Sequence, residues 1–223
     1  MNTGRVRDHW HTMTRTGKAP RLTGHVVEPY AELHPADAQR LGVGDGELVQ
    51  LTTRWGEALL RARVSENQRH GSVFAPMHWN DQFASAARVD SLVNPFQDPQ
   101  SGQPEFKHTP VRVRPYRLAW YGFVLSRHAM DTTAASYWVR SRRRGLWHYE
   151  LAGEEPTGDW AGCARGMLQA DADGAQWSEM FDSAQQSYRG ARFVAGRLDS
   201  CIFIGPDHRL PPRDWLIELF ARE

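Results

Sequence analysis

His34-Pro35-Ala36-Asp37-Ala38-Gln39-Arg40-Leu41-Gly42 reads as a short helix, with proline in its first turn and glycine as its stop. Gly44-Asp45-Gly46 then supplies a tight turn. Residues 47–53 and 57–64 run apolar or alternate on either side of Arg54-Trp55-Gly56, which is a hairpin signal. Val26 and Val27 lead into the helix, and Gly71 opens an apolar strand over residues 72–77. A loop rich in Asn, Pro, Gly, Asp and Gln fills residues 94–104, and Val111-Arg112-Val113 alternates as a last strand. Many short strands around one helix predict a small closed barrel.

After Pro115 the character changes. Tryptophan and arginine become dense, with Trp120, Trp138, Trp147, Trp160 and Trp177 near Arg140, Arg142, Arg143 and Arg144. Residues 159–169 look helical, and residues 191–204 read as a hairpin turning at Gly196. Residues 211–220 form a proline-initiated helix whose Trp215, Leu216, Leu219 and Phe220 share one face. The boundary falls near residues 116–119, giving a first domain over 1–117 and a smaller α+β region over 118–223. The fold expected is mostly β with some α.

Composition narrows the function. Of 223 residues, 27 are basic and 26 acidic, a net charge of +1 that disfavours a general nucleic-acid binder. No apolar run approaches the roughly 20 residues that cross a bilayer, and the polar start from Met1 to Trp10 is no secretory signal. Neither nucleic acid nor membrane is therefore expected as a partner. Cys163 and Cys201 match no disulfide framework and no zinc or iron–sulfur spacing, so they read as core or hairpin thiols in a reducing, cytoplasmic setting. Only Lys18 and Lys107 are lysine, which sets Lys107 apart in its loop.

Three clusters can carry chemistry. The first, Thr3-Gly4-Arg5-Val6-Arg7-Asp8-His9-Trp10-His11-Thr12, packs cations, hydroxyls, two imidazoles and an indole with scarcely an aliphatic residue. Strand alternation would put His9 and His11 on one face and Trp10 on the other. Two histidines without a third ligand make a poor zinc site. A flat polyanion fits better: hydroxyl and N–H donors for phosphate, arginines for charge, rings for stacking. A solvated, unstructured N-terminus is the plainer alternative. The second cluster is Met77-His78-Trp79-Asn80-Asp81-Gln82 at a strand exit, either a binding group or a closed core edge. The third is Asn94 with residues 98–107, ending in Phe106-Lys107. There an amide can read a heterocycle edge and a lone lysine can meet phosphate, or the loop is simply polar. The run from Arg140 to Arg144 is a docking surface for an electron donor or another domain, or a solvated face.

Taken in order, Thr-Gly-Arg-x-x-x-x-Trp-His-Thr-x-Thr, His-Pro-x-Asp-Ala-x-x-Leu-Gly and Asp-Pro-x-Ser-Gly-Gln-Pro-Glu-Phe-Lys resemble the C-terminal molybdopterin-dinucleotide-binding domain of bacterial molybdenum oxidoreductases. Within that group the match is to the assimilatory nitrate reductase catalytic subunit, over about residues 3–114. The resemblance implies a six-stranded double-psi β-barrel holding one pterin guanine dinucleotide of Mo-bis(molybdopterin guanine dinucleotide). It assigns cofactor contacts to Thr3, Gly4, Arg5, Val6, Arg7, Asp8, His9, Trp10, His11, Thr12, Asn94 and Lys107. Thr3, Gly4 and Thr12 are expected to donate to the pyrophosphate, and Asn94, Asp8 and Lys107 to meet the ring edges. His78 and Trp79 fall beside the expected substrate funnel, where this sequence departs from its aromatic relatives.

The resemblance also implies what this sequence lacks. The protein ligand to molybdenum and the cysteines of a [4Fe-4S] cluster would lie in upstream domains, the remaining partner of this chain, and an electron donor would serve the whole enzyme. A start directly on the cofactor motif leads us to expect a fragment or half of a split gene, inert alone. No catalytic residue and no metal ligand are expected in it, and residues 1–20 should be mobile or self-associating when uncovered. A stand-alone barrel serving as a binding or assembly subunit is the rival reading, as is the same domain from an enzyme acting on formate or another oxyanion.

Overall fold

The computed structural model describes residues 1–168 and 174–222. The chain divides into two compact units. The first comprises Met1–Lys18 and His25–Arg117, and the second comprises Ala19–Gly24 and the residues from Leu118 onward.

The first unit is one six-stranded sheet: β1 (Asn2–Gly4), β2 (Tyr30–Leu33), β3 (Leu48–Thr52), β4 (Glu57–Val64), β5 (Val73–Pro76) and β6 (Arg112–Pro115), in the order β1-β5-β2-β4-β3-β6. The expected hairpin is β3–β4, antiparallel from Leu48↔Arg61 to Thr52↔Glu57. Thr53 Oγ1 accepts from the Trp55 and Gly56 N–H groups and fixes its turn. β2 was not legible beforehand. It runs parallel to β4 and antiparallel to β5, while β1 lies parallel to β5. The chain just ahead of β6 also bonds β1. The Thr3 N–H donates to the Phe106 carbonyl at 3.2 Å, and the Thr109 N–H donates to the Met1 carbonyl at 3.1 Å.

The helix between β2 and β3 spans Pro35–Leu41, as its punctuation predicts. His34 Nδ1 accepts from the Ala36 N–H at 3.1 Å, and Gly42 closes the helix at φ +66°, where a Cβ would be strained. Leu33, Leu48, Leu51 and Leu60 are fully buried, each contributing about 1.5–3 kcal/mol through apolar area removed from water.

The second unit is a six-stranded antiparallel sheet, β10-β11-β12-β7-β9-β8, and so is far more β than the tail the sequence suggested. Its strands are β7 (Trp120–Ser126), β8 (Tyr137–Arg143), β9 (Leu146–Gly153), β10 (Gln176–Asp182), β11 (Ser187–Val194) and β12 (Arg197–Gly205). The β11–β12 hairpin turns at Ala195 and Gly196, both left-handed. One face packs against the helix Trp160–Met167 through Trp120, Val124, Tyr149 and Ile202. The expected helix reached residue 169, which lies outside the described residues. The other face packs against the helix Asp214–Arg222 through Phe123, Leu125 and Cys201. That helix buries Leu216 and Phe220, while Trp215 and Leu219 stay largely exposed, so only half of its expected apolar face is covered. A one-turn helix, Pro20–Thr23, belongs to this unit too. Its Thr23 hydroxyl donates to the Arg142 carbonyl at 2.8 Å, on the edge strand β8. Arg140 and Arg142 lie over the Trp147 ring, 5.4 and 4.1 Å from its centroid, rather than standing free in solvent.

Under the N-terminus of the last helix sits a buried ionic group. Arg213 donates to both Glu150 oxygens at 2.9 and 2.7 Å, and His148 Nε2 lies 2.8 Å from Glu150 Oε1. Burial alone would raise the Glu150 pKa, but His148 and Arg213 outweigh it and hold the carboxyl well below the usual range.

Candidate dinucleotide-binding site

The site begins where β1 ends. Beyond Gly4 the chain leaves the sheet, and residues 5–13 form turns rather than a strand. Asp8, His11 and Met13 take positive φ values of 73°, 43° and 61°. The alternation expected for His9, Trp10 and His11 therefore does not occur. His9 turns inward and is buried, while His11 and Trp10 are exposed together, their rings edge to face at 4.7 Å. Three non-glycine residues in the left-handed region within six positions is local strain, of a kind found where a backbone is held ready for a ligand.

The second sequence cluster meets this segment, and the third meets Thr3 in β1 just ahead of it. The register Thr3↔Ala75 and Gly4↔Pro76 carries the strand exit to the loop, and the Met77 N–H donates to the Gly4 carbonyl at 3.1 Å. His78 Nε2 then accepts from the Val6 N–H at 2.9 Å, and His78 Nδ1 lies 2.6 Å from the His11 carbonyl oxygen. Trp79 meets the His9 ring edge to face at 5.2 Å. On the other side of β1, the Thr3 hydroxyl donates to the Phe106 carbonyl at 2.8 Å and Lys107 Nζ donates to the Thr3 carbonyl. Asn94 joins through Glu105, its Nδ2 donating to Glu105 Oε2 at 3.0 Å.

Several of the expected contact residues also bond within the protein. Thr3 is buried, and its N–H and hydroxyl both donate to the Phe106 carbonyl. The Asn94 amide is engaged by Glu105 and by the Phe96 N–H. Asp8 Oδ2 is taken by His25 at 2.5 Å and Arg7 at 3.0 Å, and these two partners hold its carboxyl below the usual range. His78 and Trp79, expected beside a substrate funnel, are 0% and 1% exposed and form the inner wall of the loop. Exposed at the rim are Arg5, Arg7, Trp10, His11, Thr12 and Lys107: three cationic side chains, two rings and a hydroxyl, with Arg7 also on Asp8 and Lys107 Nζ on the Thr3 carbonyl. Asn80, quoted with the second cluster, donates through Nδ2 to the Thr12 carbonyl at 3.3 Å, whereas nothing in the sequence singled out His25, which meets Asp8.

Two atoms test whether a cofactor fits. His9 Nε2 faces the Val26 carbonyl at 3.0 Å, so it carries the ring proton and Nδ1 is a bare acceptor. His9 Nδ1 and Trp79 Nε1, an acceptor and a donor, are both buried with no hydrogen-bond partner among the described residues. Burial lowers the pKa of His9 and of His78, keeping both imidazoles neutral at neutral pH. Gly4 completes the cradle, since a Cβ there would stand 2.9 Å from the Phe74 ring and 3.8 Å from Lys107 Nζ. This donor and acceptor set suits a flat, hydrogen-bonding heterocycle with a phosphate at the cationic rim. A separate hollow of about 550 Å³ in the first unit, lined by Met1, Asp37, Arg40, Thr109 and Arg112 among others, includes none of residues 3–12. Among the described residues no three His, Cys, Asp or Glu side chains are grouped to hold a metal ion, and no helix is long and apolar enough to cross a membrane.

Residues 1–110 match the family model of the molydopterin dinucleotide binding domain, and this part of the chain belongs to that family. The domain is shared with nitrate reductases and formate dehydrogenases. The chain is similar to the nitrate reductase of Klebsiella oxytoca, 44% identical over 160 residues that cover 72% of this chain and 18% of that protein. It is also similar to the F420-dependent formate dehydrogenase 1 subunit alpha of Methanococcus maripaludis, 34% identical over 113 residues, covering 51% and 16% respectively. The assimilatory nitrate reductase catalytic subunit of Bacillus subtilis is 34% identical over 115 residues, covering 52% and 16%. The chain thus spans less than a fifth of the length of these relatives.

Proposed function

We propose that this chain is the dinucleotide-holding portion of a larger cytoplasmic molybdenum enzyme that reduces nitrate to nitrite for assimilation, and that it is inert alone. The observation that carries the reading is the meeting of the strained segment 5–13 with His78 and Trp79 beside two unpaired buried ring nitrogens, with Lys107 bonded to Thr3 in the strand that leads into it. The first unit is read as a double-psi barrel. The bonds from β1 to both β5 and residues 106–109 support a closed ring of six strands.

In this reading Arg5 and Lys107 offset phosphate charge, and Thr12 and His11 donate at the rim. Trp79 Nε1 and His9 Nδ1 pair with a ring edge of one pterin guanine dinucleotide. Gly4 lets the ligand approach the backbone. When bound, Mo-bis(molybdopterin guanine dinucleotide) supplies the redox and oxygen-transfer chemistry, and this chain supplies orientation and electrostatics. Upstream domains would enclose the ligand's other side and would carry the [4Fe-4S] cluster, with electrons arriving from a separate donor.

The test is replacement. The chain is grafted in place of the matching segment of the Klebsiella oxytoca nitrate reductase, and in parallel into the Methanococcus maripaludis formate dehydrogenase subunit. Nitrate reduction by the first chimera and none by the isolated chain is the expected result. Activity in the formate enzyme alone would reassign the parent, and turnover by the isolated chain would overturn the reading.

A further inference from the structure

We propose that His78 is the positioning residue of the dinucleotide loop, clasping its two ends with one imidazole: Nε2 accepts from the Val6 N–H while Nδ1–H donates to the His11 carbonyl. This rests on the binding reading above and goes beyond it, because His78 itself is shut away from any ligand.

Hydrogen-bond chemistry fixes the tautomer. A backbone N–H can only donate, so Nε2 must present its lone pair at 2.9 Å to Val6; a carbonyl can only accept, so Nδ1 must carry the proton at 2.6 Å from His11. The clasp therefore requires a neutral ring with one defined tautomer. It brackets residues 7–10, and with them Asp8 at φ +73°; the closing residue, His11, is itself left-handed at φ +43°. Such conformations persist in non-glycine residues only where their surroundings hold them. His78 is well placed to do so, directly after β5 and wedged against the His9 and Trp79 rings at 5.4 and 6.4 Å.

A second proton would turn Nε2 into a donor facing the Val6 donor, and the loop would be released. Burial chiefly disfavours that proton and the Arg5 charge adds to it, which keeps the clasp shut at neutral pH; His9 and His11 oppose it only when they are themselves charged. Acidification opens it.

The test uses the full chain, amide hydrogen exchange, 15N imidazole spectra and guanosine diphosphate as the probe for the nucleotide half of the ligand. In the native chain His78 should show the Nδ1–H form, and the Val6 amide should be protected at pH 7.5 and lose that protection toward pH 5. His78→Phe keeps a ring and removes both bonds, and should lose about tenfold in Val6 protection and in nucleotide affinity. His78→Gln offers an amide oxygen to Val6 and an NH2 to His11; it should restore both and remove the pH dependence. An Nε2–H spectrum, or equal Val6 exchange and affinity in the Phe variant and the native chain, overturns the clasp. If the Phe variant does not fold, the pH response of the native chain against the Gln variant decides. Failure of guanosine diphosphate to bind any form would count against the binding reading, while Val6 exchange still decides the clasp.

Discussion

Trp79 and His9 meet edge to face with ring centroids 5.2 Å apart, and each keeps a buried ring nitrogen without a hydrogen-bond partner among the described residues. A buried unpaired donor or acceptor costs about 1–3 kcal/mol. Here two of them sit on adjacent rings, against a loop with three left-handed non-glycine residues.

Removing the donor separates binding from folding. Trp79→Phe keeps an aromatic ring against His9 and deletes Nε1–H. Its lost volume should cost about 1–3 kcal/mol in chemical denaturation. Affinity for the pterin guanine dinucleotide should fall about tenfold, measured by calorimetry on folded protein. Unchanged affinity would show that Nε1–H does not face the ligand.

Stability should rise with pH between 5.5 and 7.5. His9 and His78 both have lowered pKa values in the folded chain, chiefly through burial. The unfolded chain therefore binds more protons in this window. Their contribution is fully present above the ordinary histidine pKa of about 6.5 and is lost as pH falls below it. A urea midpoint higher at pH 7.5 than at 5.5 is expected, and the opposite order would contradict the neutral assignment. Glu150 acts in the same direction at lower pH. Its carboxyl is held below the usual range, so its contribution is present above about 4.3 and is lost as acid titrates it.

The buried ionic group of the second unit should behave as a couple. Arg213→Met removes the two guanidinium bonds to the buried Glu150 carboxylate and leaves the His148 ring beside it, and should cost about 3–5 kcal/mol. Combining it with Glu150→Leu should recover much of that loss, because the uncompensated charge is gone. Simple additivity in thermal or urea unfolding would argue that Arg213 acts only by packing over the Phe123 ring, 4.3 Å away.

Gly42 offers a check on the fold itself. It sits at φ +66° with no atom within 4 Å of an added Cβ, so Gly42→Ala should cost about 1–2 kcal/mol through backbone conformation alone. A neutral effect in urea unfolding would mean that the helix stop does not depend on the left-handed residue.

What the sequence made legible follows from where its signals are local. Pro35 and Gly42 punctuate their helix, and Arg54-Trp55-Gly56 marks the β3–β4 turn, because each depends on backbone preference at one or two residues. The path of residues 5–13 was hidden, since Asp8, His11 and Met13 adopt glycine-like φ values without being glycine. β7 escaped because helices cover both faces of its sheet and all seven of its residues are buried, which erases the period of two. β10 escaped for the opposite reason: it is an edge strand, largely exposed along its length. At the site, the residue types were legible and their partners were not. Nothing local says that the Thr3 hydroxyl will turn to Phe106 or that His78 will hold Val6.

The most direct measurement is mass spectrometry of the full chain produced in a molybdenum-replete host, or reconstituted with purified cofactor, under native conditions. We expect a bound pterin guanine dinucleotide in the native chain, and its loss in an Arg5→Ala, Lys107→Ala double variant that still folds. A correctly folded native chain that retains no guanine dinucleotide at micromolar excess of cofactor would contradict it.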